Sequence, residues 1–114
     1  MDKVVDKIAA LGVPGIVMLV AMAATGWAGA AAVTAALAAL GGPLGMLGGI
    51  AMLGILGLIS KAISDYGFEK IFVATVEKLR EDGTSKRAIR EQIDGYPISR
   101  ELKLKIFDHL DAMA

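Results

Sequence analysis

Residues 8–60 carry the sequence IAALGVPGIVMLVAMAATGWAGAAAVTAALAALGGPLGMLGGIAMLGILGLIS, which contains no Asp, Glu, Lys, Arg or His. The only hydroxyl side chains in this stretch are those of Thr25, Thr34 and Ser60. Residues 61–114 carry ten of the chain's 12 basic and ten of its 12 acidic side chains. A soluble fold needs polar side chains on its surface, and residues 8–60 have almost none. The sequence therefore predicts an all-α integral membrane protein.

This apolar stretch is long enough for two membrane-spanning helices. The hydrocarbon core of a bilayer, about 30 Å thick, is crossed by about 20 helical residues. Gly41-Gly42-Pro43 predicts a turn, because glycine ends helices at positive φ and proline suits the first turn of the next helix. We predict a transmembrane helical hairpin over residues 13–64, with spans at 13–40 and 44–63 and the turn at 41–43. Residues 1–12 are predicted to form a short interfacial helix.

The lysines around the hairpin predict its orientation. Lys3, Lys7, Lys61 and Lys70 flank the spans, whereas the turn carries no charge. Under the positive-inside rule both termini lie in the cytoplasm, and we expect the membrane to be a bacterial inner membrane. A cleaved signal peptide is the alternative, since Ala28-Gly29-Ala30 fits a cleavage pattern. Two aspartates among the first seven residues remove the positive excess that such a peptide needs.

Residues 65–114 predict a soluble, charged module of three helices. The first begins after Gly67 and stops at Gly83, and the second is capped by Thr84 or Ser85. A third helix, capped by Ser99, follows Gly95-Tyr96-Pro97. Its four-residue spacing places three side chains on one face as the tail core: Leu102, Ile106 and Leu110. Fewer than about 50 residues form a thin core, so the module is expected to lean on neighbouring copies or on the membrane surface.

One tight basic group in the tail comprises Lys86, Arg87 and Arg90. It is either a solvated helix face with Glu91 and Asp94 nearby, or a contact for anionic lipid head groups or an acidic patch on a partner protein.

Glycine spacing is the most specific pattern in the apolar stretch. Gly41, Gly45 and Gly49 recur every four residues, and Gly26 and Ala30 share that interval in the first span. Small residues let helix backbones approach closely in lipid, where the hydrophobic effect contributes little to association. We predict homo-oligomerisation through these five residues. Packing within one hairpin is the alternative.

The sequence predicts no chemistry at a catalytic site, and we expect a non-enzyme without cofactor or metal. Cysteine is absent, and the lone His109 is expected to be an exposed surface residue beside two aspartates. A net charge of zero disfavours a nucleic-acid partner. Because residues 8–60 contain no ionisable side chain, a proton relay or coupled transporter is also disfavoured.

In overall layout the chain resembles small phage holins, which are short and combine two spans with a charged cytoplasmic tail. It also resembles compact pore-forming effectors that kill the cell carrying them. The resemblance lies in architecture, without a shared residue motif. It implies a self-assembling protein that permeabilises the membrane. The alternatives are a non-conducting anchor or scaffold whose C-terminal helices recruit a soluble protein, and a secreted membrane-active toxin, which the balanced charge disfavours.

Overall fold

The computed structural model describes residues 1–113, with only the backbone of Pro43, and every regular element in that range is helical. The helices are α1 (Asp2–Ala9), α2 (Val13–Ala38), α3 (Gly42–Gly45), α4 (Gly49–Tyr66), α5 (Phe68–Glu81), α6 (Lys86–Asp94) and α7 (Arg100–Asp111). Two of them, α2 and α4, are long and apolar enough to cross a membrane. An all-helical chain with two candidate spans agrees with the sequence prediction at this level.

The chain reverses direction between α2 and α4. Gly41 and Gly42 adopt φ values of 85° and 68°, which L side chains rarely adopt. The connection is longer than the predicted turn, because α2 ends at Ala38 and a single turn, α3, precedes α4. The second long helix therefore begins at Gly49, five residues after the predicted start of the second span.

A break at Gly26 divides α2 into two halves. Gly26 has φ 75° and ψ −167°, a conformation that is essentially restricted to glycine. The halves before and after it contain 13 and 12 residues, so each extends about 20 Å at 1.5 Å per residue. Neither half alone matches a bilayer core of about 30 Å. The sequence predicted one span over residues 13–40 and indicated no break at Gly26, so this kink is a departure from that prediction.

The first half of α2 forms the centre of the molecule. Its buried segment, defined as residues 13–22, is covered except at Pro14, and Ile16, Val17, Met18 and Leu19 have no exposed surface. Helices α1, α5, α6 and α7 all pack against α2. Charged helices thus enclose an apolar one, so that the polar faces of α1 and α5–α7 supply surface that the buried segment lacks.

The tail helices begin and end near the predicted residues. The Ser85 and Ser99 hydroxyl oxygens each accept a hydrogen bond, 3.1 Å long in both cases, from the backbone N–H three residues on. Gly83 follows α5 with φ 103°. The proposed tail core, Leu102, Ile106 and Leu110, is buried. Because α5, α6 and α7 all pack against α2, the tail's apolar side rests on the same chain, whereas the sequence suggested neighbouring copies or the membrane surface.

Candidate membrane-contacting surface

Large apolar side chains are exposed along the hairpin outside the buried segment. They belong to Trp27, Leu40, Met46, Ile50 and Leu53. Met46 and Ile50 are the extreme cases, 88% and 89% exposed. We call residues 23–28, 39–42 and 45–54 the hairpin surface; they contain no ionisable side chain. An uncharged exposed region of this kind marks a contact with a membrane or with another protein.

Trp27 lies where the two long helices meet. Its ring is 45% exposed, and its Cη2 atom would lie 3.8 Å from a Cβ atom added at Gly57. The ring therefore covers a glycine on α4 with one edge and leaves the rest accessible. The ring therefore packs between the helices only in part.

The structure does not bring the five predicted oligomerisation residues onto one face. Gly41 precedes α3, Gly45 ends it and Gly49 begins α4, so a spacing of four residues does not align them on a single helix. Gly26 lies at the kink and is exposed, whereas Ala30 has no exposed surface. Residues 46–48 interrupt the helix, whereas a spacing of four residues aligns side chains only along a continuous helix, which the sequence predicted from residue 44.

Glycines of α4 nevertheless present an open small-residue surface. A Cβ atom added at Gly49 or Gly54 would meet no atom within 4 Å. At Gly45 the carbonyl oxygen of Ala38 would lie 3.1 Å away. Packing within the hairpin therefore uses the space beside Gly45, and it leaves the space beside Gly49 and Gly54 free for another molecule.

The basic group of α6 is largely engaged within the tail. Lys86 Nζ donates to the Met113 carbonyl oxygen at 3.1 Å. Arg90 lies 2.8 Å from an Asp111 carboxylate oxygen, and its guanidinium carbon is 4.3 Å from the centre of the Phe107 ring. Arg87 pairs along the helix with Glu91 at 3.2 Å. These contacts favour a structural role for two of the three residues and leave Arg87 the most accessible.

His109 is more enclosed than the sequence suggested. Its Nδ1 atom lies 3.1 Å from a Glu69 carboxylate oxygen. Its ring centre is 4.8 Å and 5.4 Å from those of Phe68 and Phe72. The contact between α7 and α5 places it there, a tertiary arrangement that local sequence did not indicate.

Elsewhere in the tail, burial raises the pKa of the Tyr96 hydroxyl.

Three lysines that predicted the orientation of the hairpin in the membrane lie close together at the end of the hairpin away from the turn. Lys3, Lys7 and Lys61 line one cleft between α1 and α4. Tyr66 borders the same cleft, and its hydroxyl oxygen accepts a hydrogen bond from the Met1 nitrogen at 3.2 Å. Their sequence separation concealed this arrangement, because it depends on α1 folding back along α4.

No known protein family, curated protein or solved structure matches this chain. Among residues 1–113 no group of three or more His, Asp or Glu side chains is placed to hold a metal ion. Function is therefore inferred from the geometry of the hairpin surface and of the helices that enclose α2.

Proposed function

We propose that this protein is a small integral membrane protein that self-assembles and permeabilises the bilayer that holds it. The observation that carries the proposal is the uncharged hairpin surface, with exposed Met46 and Ile50 beside the open glycines of α4. Exposed apolar side chains favour transfer into lipid by roughly 25 cal/mol per Å² of apolar area removed from water. The open space beside Gly49 then allows a second hairpin to approach closely.

The tail helices act as a cover that controls insertion. Residues 13–22 must contact lipid if the first span crosses the membrane, yet in this conformation they are enclosed by charged helices. Insertion of the complete hairpin therefore requires α5–α7 to leave α2 and the Gly26 kink to straighten. The compact conformation is the uninserted or partly inserted state, in which only the hairpin surface meets the bilayer.

Assembled hairpins disturb the bilayer without forming a selective filter. The absence of ionisable side chains from residues 8–60 leaves no charged ring to select ions. Leakage should therefore be nearly indifferent to ion charge, as with the lesions that holin-like proteins are expected to form. Both termini lie in the cytoplasm, and the turn at residues 41–43 reaches the opposite side of a bacterial inner membrane.

The test is controlled expression in bacteria with a dye that reports membrane potential, together with cross-linking in isolated membranes. The proposal expects depolarisation that rises with protein level and coincides with cross-linked oligomers. A protein that is inserted and oligomeric yet depolarises nothing would overturn the permeabilising activity. A protein that remains monomeric while it depolarises cells would overturn self-assembly as its cause.

A membrane anchor that recruits a soluble protein is the second candidate, and a cleft in the tail favours it. The cleft is lined by Arg100, Lys103 and Leu104, among others, and Leu104 is 50% exposed. Asp94 also lines the cleft, and Lys103 Nζ donates to the Asp94 carbonyl oxygen at 2.7 Å. Arg100 beside the exposed Leu104 is therefore the feature that suits an acidic, partly apolar segment of a partner. Under this function Leu104→Asp abolishes partner capture, and neither parent nor variant depolarises cells.

A further inference from the structure

A groove along α1 and α4 combines a basic end with an apolar one. The basic end is the cleft of about 560 Å³ lined by Lys3, Lys7 and Lys61. A second cleft of about 370 Å³ is lined by Gly54 and Ile55. Lys7 and Leu58 line both clefts, so the two are neighbouring sections of one groove, within the usual size range of ligand sites.

The charges at the basic end leave two ammonium groups available. Lys61 Nζ lies 3.7 Å from an Asp65 carboxylate oxygen. Among residues 1–113 no carboxylate lies within 4.0 Å of the ammonium group of Lys3 or Lys7. Asp2 also lines the cleft, as does the Met1 ammonium group that donates to Tyr66, so four cationic groups lie against two carboxylates. Flexible lysine side chains of this kind bind phosphate oxygens as point charges.

The other section of the groove suits an alkyl chain. A Cβ atom added at Gly54 would meet nothing within 4 Å, and Gly54 lines the second cleft, so there is open space over the helix backbone at this position. Ala51, Ile55 and Leu58 complete an apolar lining. An apolar recess offers water few hydrogen-bond partners and is better filled by hydrocarbon. Lys61 follows Gly54 by seven positions, which is about 10 Å along α4. Both sections of the groove can therefore hold one amphipathic molecule.

We propose that this groove binds an anionic phospholipid, with the phosphate against Lys3 and Lys7 and an acyl chain beside Gly54 and Ile55. The proposal rests on the membrane residence argued above, but not on self-assembly or leakage. Tyr66 at the basic end supports the orientation, because tyrosine is enriched at head-group level. The bound lipid would hold α1 against α4. The fraction of protein with an occupied groove would depend on how much anionic lipid the membrane contains.

The test extracts the full-length protein in mild detergent from vesicles of mixed phosphatidylcholine and phosphatidylglycerol. The lipids retained per protein are then measured by mass spectrometry. We expect the parent to retain phosphatidylglycerol beyond its share of the vesicles. Lys3→Gln with Lys7→Gln should lower that preference about fivefold per lysine removed. The matched control, Lys70→Gln with Lys105→Gln, makes the same charge change at exposed positions of α5 and α7 outside the groove and should leave the preference intact.

A second pair of variants tests the apolar section. Gly54→Leu fills the recess and should reduce retention of both lipids, whereas Ala32→Leu adds the same kind of side chain at an exposed position on α2 outside the groove and should not. Retention in proportion to the vesicle lipids, or lysine and Gly54 variants that match the parent, would overturn the proposal. Binding of soluble glycerophosphoglycerol as tight as that of the lipid, and equal in the parent and Gly54→Leu, would do so too, since it would show that the acyl chain contributes nothing.

Leakage of dye from vesicles of phosphatidylcholine alone separates this proposal from the proposed function. Leakage without phosphatidylglycerol preference overturns the lipid site and leaves permeabilisation standing. Preference for phosphatidylglycerol without leakage overturns permeabilisation and leaves the lipid site standing.

Discussion

At the scale of single residues, Gly26 controls whether α2 is bent or straight. Gly26→Ala should destabilise the bent form by about 1–3 kcal/mol, because its backbone conformation is essentially restricted to glycine. The same change favours a continuous helix by up to about 1 kcal/mol. We expect faster hydrogen exchange in residues 13–22 before the protein inserts, and more leakage at equal protein level once it is in a membrane. Gly57→Ala is the control, because the added Cβ atom would make only an ordinary van der Waals contact, 3.8 Å from Trp27.

Gly29 offers an independent test of the same kink. A Cβ atom added there would collide with the side chain of Thr25 in the bent form. In a straight helix, residues four apart keep their Cβ atoms about 5–6 Å from each other. Gly29→Ala should therefore shift the protein in the same direction as Gly26→Ala. Exchange rates in residues 13–22 that stay at the parent's value in both variants would contradict a bent resting state.

At the scale of helices, the exposed start of α4 should mediate self-association. Gly49→Leu should weaken cross-linking in membranes while leaving insertion intact, because leucine suits lipid but separates helix backbones. Gly45→Leu is less informative, since the Ala38 carbonyl lies 3.1 Å from the added Cβ position and the hairpin itself would be strained. Ala32→Leu is the control on α2. Parent-like assembly of Gly49→Leu would show that self-association does not use the open space beside Gly49.

Helix α7 provides a matched pair of substitutions for the tail. Ile106 has no exposed surface, whereas Leu104 is 50% exposed on the same helix. Ile106→Asp loses roughly 1.5–3 kcal/mol of apolar burial and also buries an unpaired charge, so it should detach the tail from α2. Leu104→Asp should leave the free energy of unfolding nearly unchanged. Circular dichroism with thermal unfolding checks this difference.

Detachment of the tail also separates the two candidate functions. If α5–α7 cover the buried segment, Ile106→Asp should alter leakage while the protein still reaches the membrane. Under the anchor function neither protein leaks and only partner capture falls. An unfolded tail with unaltered leakage would exclude a role for the tail in controlling insertion.

At the scale of the whole molecule, the predicted topology places the turn and the two termini on opposite sides of the membrane. The chain contains no native cysteine, so single cysteines can be introduced at Lys3, Leu40 and Arg100. An impermeant thiol reagent applied to intact cells should label the variant at Leu40 and neither of the others. Labelling at Lys3 or Arg100 without labelling at Leu40 would reverse the orientation.

Sequence alone determined the tail and the chemical character of the hairpin. In the tail, polar and apolar residues alternate with helical periodicity, and Ser85, Ser99 and Gly83 mark helix ends. Side chains such as that of Ile106 could therefore be assigned to a buried face before any fold was known. The same holds for the uncharged character of residues 8–60 and for a helix end near Gly41, since both depend only on composition and on local backbone preferences. The longer connection through α3 to Gly49 was not predicted.

Tertiary structure alone decided which parts of the apolar stretch are covered. Residues 8–60 are so uniformly apolar that no periodicity distinguishes a buried face from an exposed one, and Met18 and Met46 are locally alike although only Met46 is exposed. The kink at Gly26, the enclosure of residues 13–22 and the meeting of Lys7 with Lys61 all depend on contacts between distant helices. Such contacts depend on the summed packing of the whole chain, because no local residue preference selects one partner helix over another.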